Sequence, residues 1–273
     1  MGQAPIQSPQ RHEPWAIQTM MQIPNIEYYA HQDLPMLITG EIGTGKSYTA
    51  HSLHSLSPRK TGPFVTIHCR DDSGAKALEC EIFGCEKASC DTGPSDQQGK
   101  LELADKGTLV FENLDELSLD IQGKICVFLK FQSFQRVKGK SPLSSNVRVL
   151  GTSRKDPQKL LAPQMLHPQL FSQLHQLHIH LPRLAAQKDG VGEIASALLP
   201  PIARQMDKKI LGFSSEVENF LESYTWPGNL RQLQNILKRA VILEESKWIQ
   251  LNSLFFPEIN SPKTNNPSLN SRC

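Results

Sequence analysis

Residues 40–47 read Gly40-Glu41-Ile42-Gly43-Thr44-Gly45-Lys46-Ser47, a complete G-x-x-x-x-G-K-S motif, and its chemistry is the cradling of a triphosphate. Gly43 and Gly45 let the backbone approach the phosphates closely. Lys46 reaches the β- and γ-phosphates, and the Ser47 hydroxyl can hold Mg²⁺. All eight residues are therefore candidate nucleotide contacts, because successive backbone N–H groups and the positive end of a helix dipole converge on one spot.

That loop works only between a strand and a helix. Leu34, Met36, Leu37, Ile38 and Thr39 form a short apolar run of buried-strand type ahead of it, and Ser47 to Leu56 follow without Gly or Pro. Further strands are expected at Phe64–His68 after Gly62-Pro63, at Gly107–Phe111, at Val147–Thr152 and at Leu177–Leu181. Helices are expected over residues 75–83 and over 118–131, where Ile121, Ile125, Phe128 and Leu129 recur at helical spacing. Strands alternating with helices predict an α/β fold with a parallel five-stranded sheet covered on both faces. After Pro182 the pattern turns wholly helical, over about 191–206, 214–223 and 229–243, which predicts a small all-helical unit. The domain plan is then a linker over 1–33 that packs loosely, an α/β unit over 34–185, a helical unit over 186–256 and a disordered tail over 257–273. One helical candidate, around Trp15 to Gln22, lies within the linker.

With 38% hydrophobic and 21% charged residues in 273, the chain can bury a sizeable core. A net charge of +2 supplies no electrostatic argument for nucleic acid or membrane partners. No apolar stretch approaches the roughly 20 residues that span a bilayer, and a cytoplasmic location is expected. The six cysteines are expected to be reduced thiols. Cys80, Cys85 and Cys90, with His68 and Cys69 upstream, invite a metal or redox reading, but the spacing lacks the tight C-x-x-C pairs of zinc sites.

Seven blocks follow one another in a telling order: Leu37 to Glu41 into the phosphate loop, Ser57-Pro58-Arg59, Gly62 to Val65, Glu81-Ile82-Phe83-Gly84, Leu101 to Asp105, Gly107-Thr108-Leu109, and Trp226-Pro227-Gly228-Asn229-Leu230-Arg231-Gln232-Leu233. Over about residues 34–250 the chain resembles the AAA+ central domain of sigma-54-dependent transcriptional activators. The resemblance implies an AAA+ P-loop NTPase fold with a helical lid, ATP and Mg²⁺ as cofactors, assembly into rings, and remodelling of the sigma-54 polymerase complex. It implies that Ser47 and Glu112 hold Mg²⁺, and that Arg231, the second-sensor arginine, reaches the γ-phosphate and ties nucleotide state to lid position.

Other positions depart from the family pattern. The Asp-Glu that ends strand three in the family is Glu112-Asn113, so Asn113 occupies the place of the catalytic Glu and cannot accept a proton. The Asn that restrains that Glu falls at His68, and the first-sensor Asn falls at Ser153 or Arg154. The two trans-acting arginines fall at His167 and Gln173. The sigma-contacting G-A-F-T-G-A loop reads Ala88 to Pro94, with no aromatic at its tip, so contact with sigma-54 polymerase is expected to be weakened. The roughly 16 residues after Pro257 are too few for a helix-turn-helix, so direct DNA binding is not expected.

The expected function is an ATP-binding AAA+ regulator of transcription, weak or inactive in hydrolysis, whose partners are ring subunits: itself or a related activator. Two alternatives stay open. One is a working ATPase subunit of a mixed ring, and the other is a non-catalytic interaction protein.

Overall fold

The computed structural model describes residues 23–70, 74–86 and 96–254. Five strands, β1 (Met36–Gly40), β2 (Phe64–His68), β3 (Thr108–Glu112), β4 (Arg148–Ser153) and β5 (Leu177–Leu181), form one sheet of order β2-β3-β4-β1-β5. Every neighbouring pair in it is parallel, as the strand-helix alternation predicts.

Helices cover both faces. On one lie α1 (Ile26–His31) and α2 (Lys46–Ser55), on the other α3 (Ala75–Phe83), α4 (Leu119–Phe131) and α5 (Pro168–Leu174). Successive strand residues point to opposite faces, so Leu37, Leu109 and Phe111 join one core while Met36, Ile38 and Val110 join the other. A separate apolar cluster holds the second unit: α6 (Val191–Gln205), α7 (Ser215–Ser223) and α8 (Asn229–Leu243) pack around Trp226, Leu198 and Leu233.

Two readings of the sequence need correction. Residues 23–33 are not a loosely packing linker: Ile23, Ile26 and Ala30 are buried in the core, and Arg148 donates to the carbonyls of Tyr29 and Ala30 at the end of α1. Nor is the second unit wholly helical, because Gly212–Phe213 pairs in parallel with Trp248–Ile249. Two residues are too short a run to show a period of two. A hairpin of Ser133–Gln135 with Pro142–Ser144, also too short to read, follows α4. The Trp15–Gln22 candidate, the Ala88–Pro94 loop and the 257–273 tail lie outside the described residues. Among the described residues no helix is long and apolar enough to cross a membrane.

Candidate functional site

β1 ends at Gly40 and α2 begins at Lys46, so the loop between them turns at the carboxyl edge of the sheet. Gly45 opens α2 at φ 100°, a conformation that a side chain would strain. Gly43 stands at φ 80°, and a Cβ there would lie 2.2 Å from the Gly228 carbonyl oxygen. Thr44 closes the turn by donating its hydroxyl to the Glu41 carbonyl at 2.9 Å. The Lys46 ammonium donates to the carbonyls of Gly40 (2.6 Å) and Glu41 (2.7 Å). Burial, then the guanidinium of Arg154 and, more weakly, that of Arg231, pull its pKa down to about 8 against the opposing pull of Glu112.

β3 sets Glu112 at the same edge, level with His68 on β2. The Ser47 hydroxyl donates to Glu112 Oε1 at 2.5 Å, and His68 Nδ1 meets Glu112 Oε2 at 2.8 Å. A hydroxyl and a carboxylate side by side are hard oxygen donors, a set that fits a hard divalent cation. His68 thus engages the carboxylate of Glu112, a partner that lies 44 residues away in sequence and was not foreseen.

Asn113 follows in the left-handed region at φ 57°, tolerable for Asn because its short polar side chain bonds locally. Its backbone N–H donates to Thr152 Oγ1 (3.2 Å), and its side-chain oxygen accepts from Arg154 Nε (3.1 Å). Arg154 also donates to Glu116 Oε1 at 2.5 Å. Of the two positions the sequence leaves open, Ser153 is buried on β4, while Arg154, one residue past the strand, lines the cavity.

That cavity, about 580 Å³, is of a size to take a nucleotide. Ile42, Gly43, Gly45, Lys46, Ser47, Glu112, Asn113 and Arg231, all singled out from sequence, line it together with Arg154. Arg70, just past β2, and Thr152 also line it, and no sequence motif pointed to either.

The helical unit closes one side. Arg231 N donates to the Gly43 carbonyl (3.2 Å), and Asn229 Nδ2 donates to the Ile42 carbonyl (2.9 Å) while Asn229 Oδ1 accepts from Leu184 N (2.8 Å). Asn229 therefore pins loop, connector and α8 at one buried point. Arg183 pairs with Glu41 Oε1 at 2.5 Å across the same boundary.

His167 and Gln173 do not reach the cavity. His167 caps α5, with its backbone N–H on Gln122 Oε1 at 2.7 Å, and Gln173 sits in the last turn of that helix. The metal reading of the cysteines finds no support: among the described residues no group of three His, Cys, Asp or Glu side chains could hold an ion. Cys69 is a buried free thiol in the core, and Cys90 lies outside the described residues. The expectation of reduced thiols fails at Cys80, within α3, and Cys85, just past its end, which are disulfide-bonded.

The sigma-54 interaction domain family matches residues 15–180, and the AAA+ ATPase lid domain family matches residues 186–271. The regulatory protein LuxO of Vibrio parahaemolyticus is 37% identical over 246 residues, 90% of this chain and 54% of LuxO. The formate hydrogenlyase transcriptional activator FhlA of Escherichia coli is 32% identical over 243 residues, 89% of this chain and 34% of FhlA. The chain thus spans from about a third to about half of these relatives' length. Among solved structures, NtrX from Brucella abortus in complex with ADP superposes with a TM-score of 0.75 at 27% identity, over 88% of this chain and 53% of NtrX.

Proposed function

The chain belongs to the sigma-54-interaction family of AAA+ transcriptional activators, and from that premise we propose that it is an ATP-binding regulator whose bound nucleotide sets the lid and whose own hydrolysis is weak or absent. The observation that carries this reading is the juxtaposition of an intact phosphate loop, bonded to the lid through Arg231 and Asn229, with an Asn113 whose side chain is held by Arg154. In it, Lys46 leaves the loop carbonyls for the phosphates, Arg231 meets the γ-phosphate from the lid, and Gly43 with Asn229 transmits loop position to α8. Ser47 and Glu112 would hold Mg²⁺, which when bound neutralises phosphate charge.

Loss of a general base commonly costs about 10²- to 10⁴-fold in turnover, and an arginine finger is worth about 10³ to 10⁵. With Asn113 in one role and His167 and Gln173 in the other, hydrolysis by the isolated chain is expected at background. Calorimetric titration with Mg·ATP is the direct test: the protein should bind, and Lys46→Ala should weaken binding by at least about tenfold. A folded protein that gives no heat, or one that releases phosphate briskly in a Lys46-dependent way, would overturn the reading.

A second reading is favoured by where His167 and Gln173 lie. Both stand away from their own cavity, so in a ring a neighbour's residues would complete this chain's site: a second copy of this chain would bring His167 and Gln173, whereas a related activator that keeps the arginines would supply them. We therefore propose ring subunits, of this chain or a related activator, as its partners. Mixing the chain with an active family member and measuring phosphate release and open-complex formation separates the two: stimulation marks a working mixed ring, inhibition a regulator that poisons one.

A further inference from the structure

We infer that Arg70 is a residue of this chain that reads the terminal phosphate, so that one subunit by itself separates a nucleoside triphosphate from the diphosphate. The inference rests on the nucleotide-binding reading above and adds to it which ligand the site prefers and through which side chain.

Strand alternation places that side chain. Val65, Ile67 and Cys69 turn to one face of the sheet and pack in its core, so His68 and Arg70 turn to the other. His68 shows where that direction leads, since its Nδ1 lies 2.8 Å from Glu112 Oε2. The ladder continues one residue past β2: Cys69 N donates to the Glu112 carbonyl at 2.9 Å, and the buried Cys69 side chain anchors the backbone just before Arg70. Arg70 therefore leaves a fixed backbone, and it lines the cavity with Lys46, Ser47 and Glu112.

Sheet order gives the end of the ligand that it meets. The phosphate loop leaves β1, Glu112 ends β3 two strands along, and Arg70 follows β2, one strand further. Backbone N–H groups of such a loop hold the inner phosphates, Lys46 reaches the outer two, and Ser47 with Glu112 marks the place of a metal that bridges them. What lies beyond Glu112 from the loop faces the last phosphate of a triphosphate or, with a diphosphate, solvent.

The other cations of the cavity have different attachments. Arg154 already serves Asn113 Oδ1 (3.1 Å) and Glu116 Oε1 (2.5 Å), and Lys46 serves the loop carbonyls. Arg231 belongs to the helical unit and joins the loop at Gly43, so its contact depends on where that unit sits, whereas Arg70 is fixed to the sheet. Among the described residues Arg70 makes no side-chain hydrogen bond or ion pair. An exposed arginine needs none, but its planar fork of N–H donors beside a phosphate site suits the paired, charge-assisted bonds that phosphate oxygens accept. Such a contact supplies no base, so the expectation of background hydrolysis is unaltered.

Calorimetric titration of the full chain in magnesium, with ADP and with the imido analogue of ATP that excludes turnover, tests this. Arg70→Gln should weaken binding of the analogue about tenfold or more and that of ADP by less than about twofold, whereas Lys46→Ala should weaken both. Arg70→Lys keeps the charge without the fork and should fall between Arg70→Gln and the unaltered chain. It carries the comparison if circular dichroism shows Arg70→Gln to be misfolded. An equal loss for both nucleotides, or no loss for either, overturns the inference and leaves nucleotide binding standing. Absence of binding of both to the unaltered chain overturns the nucleotide reading itself and this inference with it.

Discussion

Asn113 shows why placing a Glu at this position is expected to change little. Its side-chain oxygen already accepts from Arg154 Nε at 3.1 Å, so a Glu placed there would meet a guanidinium before it met water. The pairing would hold the carboxylate ionised and turned away from a proton. The left-handed backbone at φ 57° adds a cost of about 1–2 kcal/mol that Asn largely escapes. Asn113→Glu is therefore expected to raise phosphate release by less than about tenfold, with His167 and Gln173 in the proposed place of the trans-acting arginines as a second limit. A coupled phosphate-release assay reads this directly, and a rise of a hundredfold in the single variant would show that Arg154 does not hold the side chain.

At the scale of elements, Arg148 joins the sheet to the helix that precedes it. It stands at the start of β4, almost wholly buried, and donates to the carbonyls of Ala30 (2.9 Å), Tyr29 (2.8 Å) and Leu34 (3.5 Å). Those carbonyls belong to the end of α1 and the turn behind it, where a helix leaves acceptors without partners. Burial lowers the guanidinium pKa to about 10, with Asp33 opposing the shift, so the residue remains charged at neutral pH. Arg148→Met keeps the stem and removes the donors, and it should lower stability by about 2–4 kcal/mol. The midpoint of urea denaturation measures that loss; an unchanged midpoint would mean that water replaces the guanidinium at no cost.

For the molecule as a whole, two histidines make stability depend on pH. His54, on α2, is buried with Nδ1 2.9 Å from Thr108 Oγ1, and burial followed by the charge of His51 lowers its pKa to about 4. His178, on the edge strand β5, lies 2.8 Å from Thr39 Oγ1, and its pKa is likewise about 4 through burial and then His175. Unfolded, each titrates near 6.5, so between these values the unfolded chain binds more protons and stability falls as the pH is lowered. The loss should begin below pH 6.5 and reach at most about 1.4 kcal/mol per pH unit for His54, less for the half-exposed His178. Denaturation curves between pH 7.5 and about 4.5 test this. His54→Gln should flatten the slope, and a wild-type curve independent of pH in that window would overturn it.

What the sequence determined by itself is local. The phosphate loop is contiguous, its glycines and lysine fall at fixed spacing, and the five strands and the main helices follow from apolar runs and a period near 3.6. The proposal that Asn113, His167 and Gln173 stand at substituted positions likewise comes from the sequence alone, through the family resemblance. The partners of these residues were decided by the fold. Asn229 meets Ile42 across 187 residues, Glu112 meets Ser47 across 65, and Arg154 meets Asn113 across 41. No periodicity carries such pairings, because they arise where parallel strands end together and a separate helical core docks on the edge they make. Arg70 and Arg183 were missed for that reason: a cation in a loop has no signature of its own until the fold brings it to a cavity or to Glu41. The gathering of Lys46, Arg70, Arg154 and Arg231 around one cavity is thus a property of the tertiary structure, in a chain whose total charge is close to balance.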